Sequence, residues 1–371
     1  SRGCDRMTFQ HVPGSVIHHV AASTQQYVGC PSIAILPDGT YVASHSHFGP
    51  GAANTDSFVY ASADRGITWK RIAELHGQIW SNLFFHSQAL YIMGTDHCDR
   101  FGGRLNGRMV IRRSADGGHS WTQPVDAGTG LLSDCDGYHT APVPVVVHRG
   151  RIWRAMEYAP APERIHWRSL VLSAPEDADL LVRENWTVSE MMEHAGSHSQ
   201  WIEGNVVVDP QGILVNLLRT NYQGGGEATG FIDRAAIVRV SEDGRHLVHD
   251  PDLDNINMPG GGTKFTVRFD PQSRRYCALV NKQLDPVAQR NRLYLVSSPD
   301  LRRWDTEHLL LSHDDPTEHA FQYVDWVFAD DDITFVSRTA HHDGHKAAHN
   351  FHDANFLTFH RLENFRRYLS S

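Results

Sequence analysis

The sequence predicts an all-β protein, a single six-bladed β-propeller spanning residues 1–371 and closed by an N-terminal strand. Three observations lead there. A short polar turn sequence recurs after strand-like runs. Hairpin-led segments follow one another at a spacing of about 50–60 residues, the period of a propeller blade. The last segment is one strand short, while the N-terminus carries a strand with no segment of its own.

The turn sequence is Ser62-Ala-Asp-Arg-Gly-Ile-Thr-Trp69, which returns as Ser114-Ala-Asp-Gly-Gly-His-Ser-Trp121 and more loosely as Ser298-Pro-Asp-Leu-Arg-Arg-Trp304. Short polar side chains bond their own backbone and glycine permits φ > 0, so each copy reads as a tight turn whose Trp opens the next strand. The pattern resembles the Asp-box of sialidase-like β-propellers. That resemblance implies a structural role for the aspartates, not a catalytic one.

Six segments share a plan of strand, turn, strand, loop, strand, turn, strand. They run from Ser32 to Leu75, Trp80 to Val125, Val143 to about Trp186, Gly204 to about Val248, Lys264 to Leu311, and Gln322 to Phe365. Pro37-Asp-Gly39 and Asp209-Pro-Gln-Gly212 read as hairpin turns. Ser15–Val20 is expected to complete the last blade and so remove two sheet edges. A short helical excursion is expected within Ala178–Glu193.

Composition excludes several classes. The net charge of −9 argues against a broad nucleic-acid surface. No apolar run approaches a membrane span, and no signal peptide stands at the start, so a secreted or periplasmic protein is expected here in its mature form. Five cysteines form no CxxC pair. Gly224–Gly226 and Gly260–Gly262 lack the strand–loop–helix setting of a phosphate cradle, and Asp330–Asp332 reads as a hairpin turn. No cofactor is expected.

The candidate chemistry lies at strand starts. Glu203 opens one strand of the fourth segment and Arg219 closes its hairpin mate, which brings both to the same end of the blade. Arg290 precedes the third turn sequence, and Tyr323 opens the last blade in Tyr323-Val-Asp-Trp326. This resembles the sialidase arrangement of a Glu, carboxylate-binding arginines and a nucleophilic tyrosine. The resemblance implies Tyr323 as nucleophile, Glu203 as the group that draws its proton, and Arg219 with Arg290 as a fork for an acidic substituent. Sialidases carry a first arginine in an Arg-Ile-Pro-like motif, where this chain has Gly29-Cys30-Pro31. Their acid/base Asp maps to the loop containing Asp56, and His47 (or His45) is the other proton donor on offer. The expected substrate is therefore a glycan with an acidic sugar other than sialic acid, or a neutral one.

Two other readings stand beside this hydrolase. Tyr138 and His139 precede a strand containing Arg154 and Glu157. A Tyr or His base with an Arg neutralising a uronate is the equipment of β-elimination, and it resembles propeller polysaccharide lyases. An Arg154–Glu157 bridge is the structural alternative. A non-catalytic glycan-binding propeller is the third reading. Lys264 is a further cavity candidate. The loop from His341 to His352 invites a metal, but its spacing fits no zinc signature; His352 and Asp353 are expected to contact substrate or one another.

Overall fold

The computed structural model describes residues 9–98, 106–160, 167–194, 199–222, 233–283 and 289–371. Its strands form six antiparallel sheets arranged as the blades of a propeller. Blade 1 runs outward from Tyr27–Val28 and Ser32–Ile35 through Tyr41–Phe48 and Asp56–Ser62 to Lys70–His76. Blade 5 is the most regular, with Val267–Asp270, Arg275–Val280, Arg292–Ser298 and Thr306–Ser312 in order.

Successive side chains of a strand point to opposite faces, and middle strands are apolar in unbroken runs such as Leu90–Met93, so the blades present apolar faces to both neighbours. The result is one hydrophobic cluster per blade interface. Ile92 and Leu90 meet Val42 and Val59 between blades 1 and 2, and Met93 and Ile111 meet Met156 and Leu170 between blades 2 and 3. The ring closes through Val28, Ile33 and Phe58, which pack on Val336, Leu357 and Phe359 of blade 6. The N-terminal strand Ser15–His19 pairs antiparallel with Phe356–Leu362, as the strand count demands.

The recurrent turns are built as their residues suggest. Ser62 Oγ donates to Asp64 (2.8 Å) and accepts from Gly66 N–H (2.8 Å), Thr68 N–H donates to Asp64 (2.8 Å), and Trp69 Nε1 donates to Gly66 O (2.9 Å). The second copy repeats these bonds within 0.1 Å. Gly66 and Gly118 take φ of 91° and 99°, which explains the glycine; the third copy places Leu301 there at 71°. A fourth, degenerate copy lies in blade 4, where Ser241 Oγ donates to Asp243 (2.5 Å) and Gly244 has φ 74°.

Two expectations need correction. Blade 2 has three strands among the described residues: Ile79–His86, Ala89–Thr95 and Met109–Ser114. Beyond Trp121 the chain meets this edge in two short stretches instead of a fourth strand: Thr122 N–H donates to Arg113 O (3.0 Å), and after the break at Pro124, which has no donor, Ile111 N–H donates to Gly130 O (2.9 Å) and Leu132 N–H to Met109 O (2.8 Å). The inner strand of blade 3 does not begin at Val143. It is split into Tyr138–His139 and Val146–His148, with Pro142 and Pro144 between. The short helical excursion expected within Ala178–Glu193 is present, as a single 3-10 turn over Arg183–Asn185.

Candidate active site

Three inner strands share one irregularity. The pairing register slips between Ile79 and Asn82, between Ile202 and Asn205, and between Gln322 and Asp325. At each slip one residue takes φ near 50°: Trp80 at 51°, Glu203 at 53° and Tyr323 at 49°. Such bulges bend a strand and re-aim one side chain, and left-handed φ in a bulky residue is strained. The polar residue two positions on ties each bulge to the adjoining blade. Asn82 Oδ1 accepts from Arg154 Nε (2.8 Å), Asn205 Oδ1 from Val267 N–H (2.8 Å), and Asp325 Oδ2 from Ser32 Oγ (2.7 Å) and Ile33 N–H (3.1 Å).

The bulges surround a cavity whose lining includes His47 of blade 1, Trp80 of blade 2, His139 of blade 3, Glu203 of blade 4, and Tyr323 and Arg338 of blade 6. Residues from five blades meet only near the ring axis, so the cavity sits at one end of the central channel.

At its base lies one hydrogen-bonded cluster. Tyr323 OH donates to Glu203 Oε1 (2.9 Å), Arg219 Nη1 donates to the same oxygen (2.7 Å), and Arg219 Nη1 also reaches the tyrosine oxygen (3.3 Å). Arg338 lies over the Tyr323 ring at 4.3 Å and Arg290 at 5.6 Å. Arg290 Nη1 donates to Gln322 (2.6 Å) and Arg338 Nη2 to His352 O (2.9 Å), yet among the described residues the buried Nε of each has no partner, nor has Glu203 Oε2. Burial, and after it the Glu203 charge, push the Tyr323 phenol up, so it is protonated at rest. Burial draws the Arg290 guanidinium down to about 10, still charged at neutral pH. Three guanidinium charges thus face the single carboxylate of Glu203 around one phenol, an excess that favours anions.

A second buried acid lies behind the first. Glu157 Oε1 accepts Glu203 N–H (2.7 Å) and lies 3.2 Å from His139 Nδ1. Burial is the main cause that pushes the Glu157 carboxyl up to about 8, so it holds a proton at neutral pH. His139 packs between Trp80 and Trp167, each 4.5 Å away between ring centres.

The structure brings together Tyr323, Glu203, Arg219 and Arg290, with His47, His139 and His352 on the same cavity. It separates the others. Arg154 is fully buried, and its five N–H donors bond Asn82, Thr140, Ala155 O, Met93 O and Ala141 O, leaving none for a uronate. It makes no bridge to Glu157, because residues three apart on a strand point to opposite faces. Tyr138 belongs to the core between blades 2 and 3. Asp56 turns to His76 (2.7 Å). Lys264 is buried beneath the site, donating to Thr266 and Val324 O (3.0 Å each). His352 and Asp353 contact one another (2.9 Å): burial raises the Asp353 carboxyl, but hydrogen bonds from His352 and His349 prevail and hold it at about 2. His47 is pulled down to about 4, by burial and then Arg71, so at neutral pH it has no proton to give as an acid.

Sequence reasoning missed Arg338 and misplaced Glu157. The signal for Arg338 was present: it stands across from Gln322, beside the Tyr323 bulge, as Arg219 stands across from Ile202, beside the Glu203 bulge.

No protein-family model and no curated protein matches the chain. Solved structures do. A protein of unknown function from Dyadobacter fermentans superposes with a TM-score of 0.63 at 14% identity, over 95% of this chain and 100% of that one. An α-L-arabinanase of Penicillium chrysogenum, complexed with arabinobiose, gives 0.59 at 13%, over 96% and 99%. The Trypanosoma rangeli sialidase in complex with sialic acid gives 0.58 at 15%, over 91% of this chain and 54% of the sialidase. The fold is a sialidase-like propeller. Within that fold this chain has Gly29-Cys30-Pro31 where a first arginine was sought just before blade 1, and Arg338 enters the same cavity from blade 6.

Proposed function

We propose that the cavity is the active site of a glycoside hydrolase that cleaves a glycan bearing an acidic sugar. The observation that supports this is the pair of buried, unpartnered arginine Nε groups on Arg290 and Arg338, beside a tyrosine already bonded to a carboxylate. Buried guanidinium donors are normally satisfied, and a substrate carboxylate is the group that would satisfy these. In this reading Tyr323 oxygen attacks the anomeric carbon as Glu203 accepts the phenol proton, and the bond to the leaving oxygen breaks. His139, backed by protonated Glu157, gives that oxygen its proton. Water, deprotonated by His139, then releases the sugar, and Tyr323 recovers its proton from Glu203. Retention at the anomeric centre follows from the two displacements. We place this activity outside the cytoplasm, in a secreted or periplasmic protein.

The test is a screen of oligosaccharides ending in uronic, ulosonic and neutral sugars, following reducing ends and ultraviolet absorbance together. Reducing ends without absorbance, lost in Tyr323→Phe, are expected. Absorbance growing with cleavage would establish elimination instead, and binding without cleavage a lectin-like role.

A further inference from the structure

We propose that His18, His45 and His47 form a three-nitrogen site for a zinc-like divalent ion, where the N-terminal strand meets blade 1. The site shares His47 with the cavity wall, but the proposal does not depend on the hydrolase reading.

The geometry is that of a ligand set. His45 and His47 are two residues apart on Tyr41–Phe48 and so share a face. His18 comes from Ser15–His19, where a register shift between Val16 and His18 marks a bulge that re-aims its side chain. One ring nitrogen from each lies within 4.8 Å of the others. His18 Nε2 and His47 Nε2 are 3.3 Å apart. A tetrahedral ion with Zn–N of about 2.0–2.1 Å sets its ligand nitrogens about 3.3 Å apart and its imidazole centres about 5.2 Å apart. The three ring-centre separations here are 5.0, 5.1 and 5.4 Å.

The surroundings agree. His45 Nδ1 lies 3.1 Å from Ser46 O, the backbone contact that fixes the tautomer and points the Nε2 lone pair away. Tyr60 OH lies 3.0 Å from that Nε2, close enough to supply oxygen to the fourth position. Three imidazoles with no carboxylate bonded to any of them suit a borderline ion better than Ca²⁺ or Mg²⁺. Arg71 is the nearby opposing charge, and it is paired with Glu74 at 2.9 Å.

The other histidine cluster lacks these properties. His313 and His319 stack face to face at 3.5 Å between ring centres, too close for two ligands of one tetrahedral ion, and His319 Nδ1 is held by the Asp315 carboxylate at 2.7 Å.

The experiment uses the full chain, stripped with chelator and then titrated with Zn²⁺ by calorimetry and with Co²⁺ by visible absorption. One ion per chain is expected, with the intense bands of four-coordinate Co²⁺ and a raised melting temperature. Loss of a supporting contact alone weakens metal sites by about 10–100-fold, so losing a ligand should cost roughly 100-fold or more. His18→Ala and His47→Ala should each show that loss; both residues are only half-buried, and circular dichroism confirms their folding. His313→Ala should bind as the unaltered protein does. Absence of Zn²⁺ heat and Co²⁺ bands in the unaltered protein overturns the proposal, as does binding that survives both substitutions or vanishes in His313→Ala.

Discussion

Tyr323 is poised, not ionised: its proton sits on a 2.9 Å hydrogen bond to Glu203, and the arginines that would stabilise a phenolate are in place around it. Tyr323→Phe removes one oxygen and leaves the ring under Arg338. Activity on the substrate found by the screen should fall by more than the about 10²–10⁴-fold of ordinary acid–base help, with melting unchanged. Glu157 gives a pH prediction. Its folded pKa, about 8, lies above the unfolded value near 4.3, so the folded state binds the extra proton between them. The stability it contributes is fully present below the lower value and is lost as pH rises through about 8. Glu157→Gln should flatten the stability profile over that window and remove an alkaline fall in activity near pH 8. Urea midpoints and rate profiles from pH 4 to 9 check both. Much of this site was legible as residue types at strand starts. Glu157 was not, because its neighbours come from other strands and its burial cannot be read from one chain position.

At the scale of the hairpin, the bulge is the working unit. A strained residue is tolerated at the tip because Asn82, Asn205 or Asp325 secures the strand two residues later. Asp325 joins three blades, accepting from Ser32 and Ile33 of blade 1 and from Thr266 beside blade 5 (3.1 Å). Asp325→Ala takes from Ser32, Ile33 and Thr266 the buried carboxylate they donate to, and from Lys264 a nearby opposite charge. It should cost about 3–5 kcal/mol in chemical denaturation, and Asp325→Asn much less, since an amide oxygen still accepts. The recurrent turns were legible because Ser, Asp, Gly and Trp each leave a distinct mark. The copy at Ser241 was hidden because Leu247 follows it where a Trp was sought.

Over the whole ring, closure rests on Ser15–His19, which covers the edge strand Phe356–Leu362. Removing residues 9–20 should leave that edge open to pairing between molecules. Lowered melting temperature and concentration-dependent aggregation in size-exclusion chromatography are expected; a monomer with unchanged melting would refute the closing role. Ring size and closure could be counted from hairpins, since each blade needs its own turn signals. The irregular edge of blade 2 could not, because nothing after Trp121 shows that the chain returns to the edge at Gly130–Leu132 after its break at Pro124.

The repeated bulge also bears on how such a ring acquires new chemistry. Trp80 occupies on blade 2 the station that Glu203 and Tyr323 hold on blades 4 and 6, at the same cavity, and Ile79 stands across from Thr95 as Ile202 does from Arg219 and Gln322 from Arg338. The strain is held by the backbone and its anchoring amide or carboxylate, so the side chain displayed there is exchangeable without redesigning the blade. Replacing Trp80 and Thr95 offers a third, independently variable socket, and a lineage drifting through that pair alone can change what the ring recognises while Tyr323 and Glu203 stay as they are.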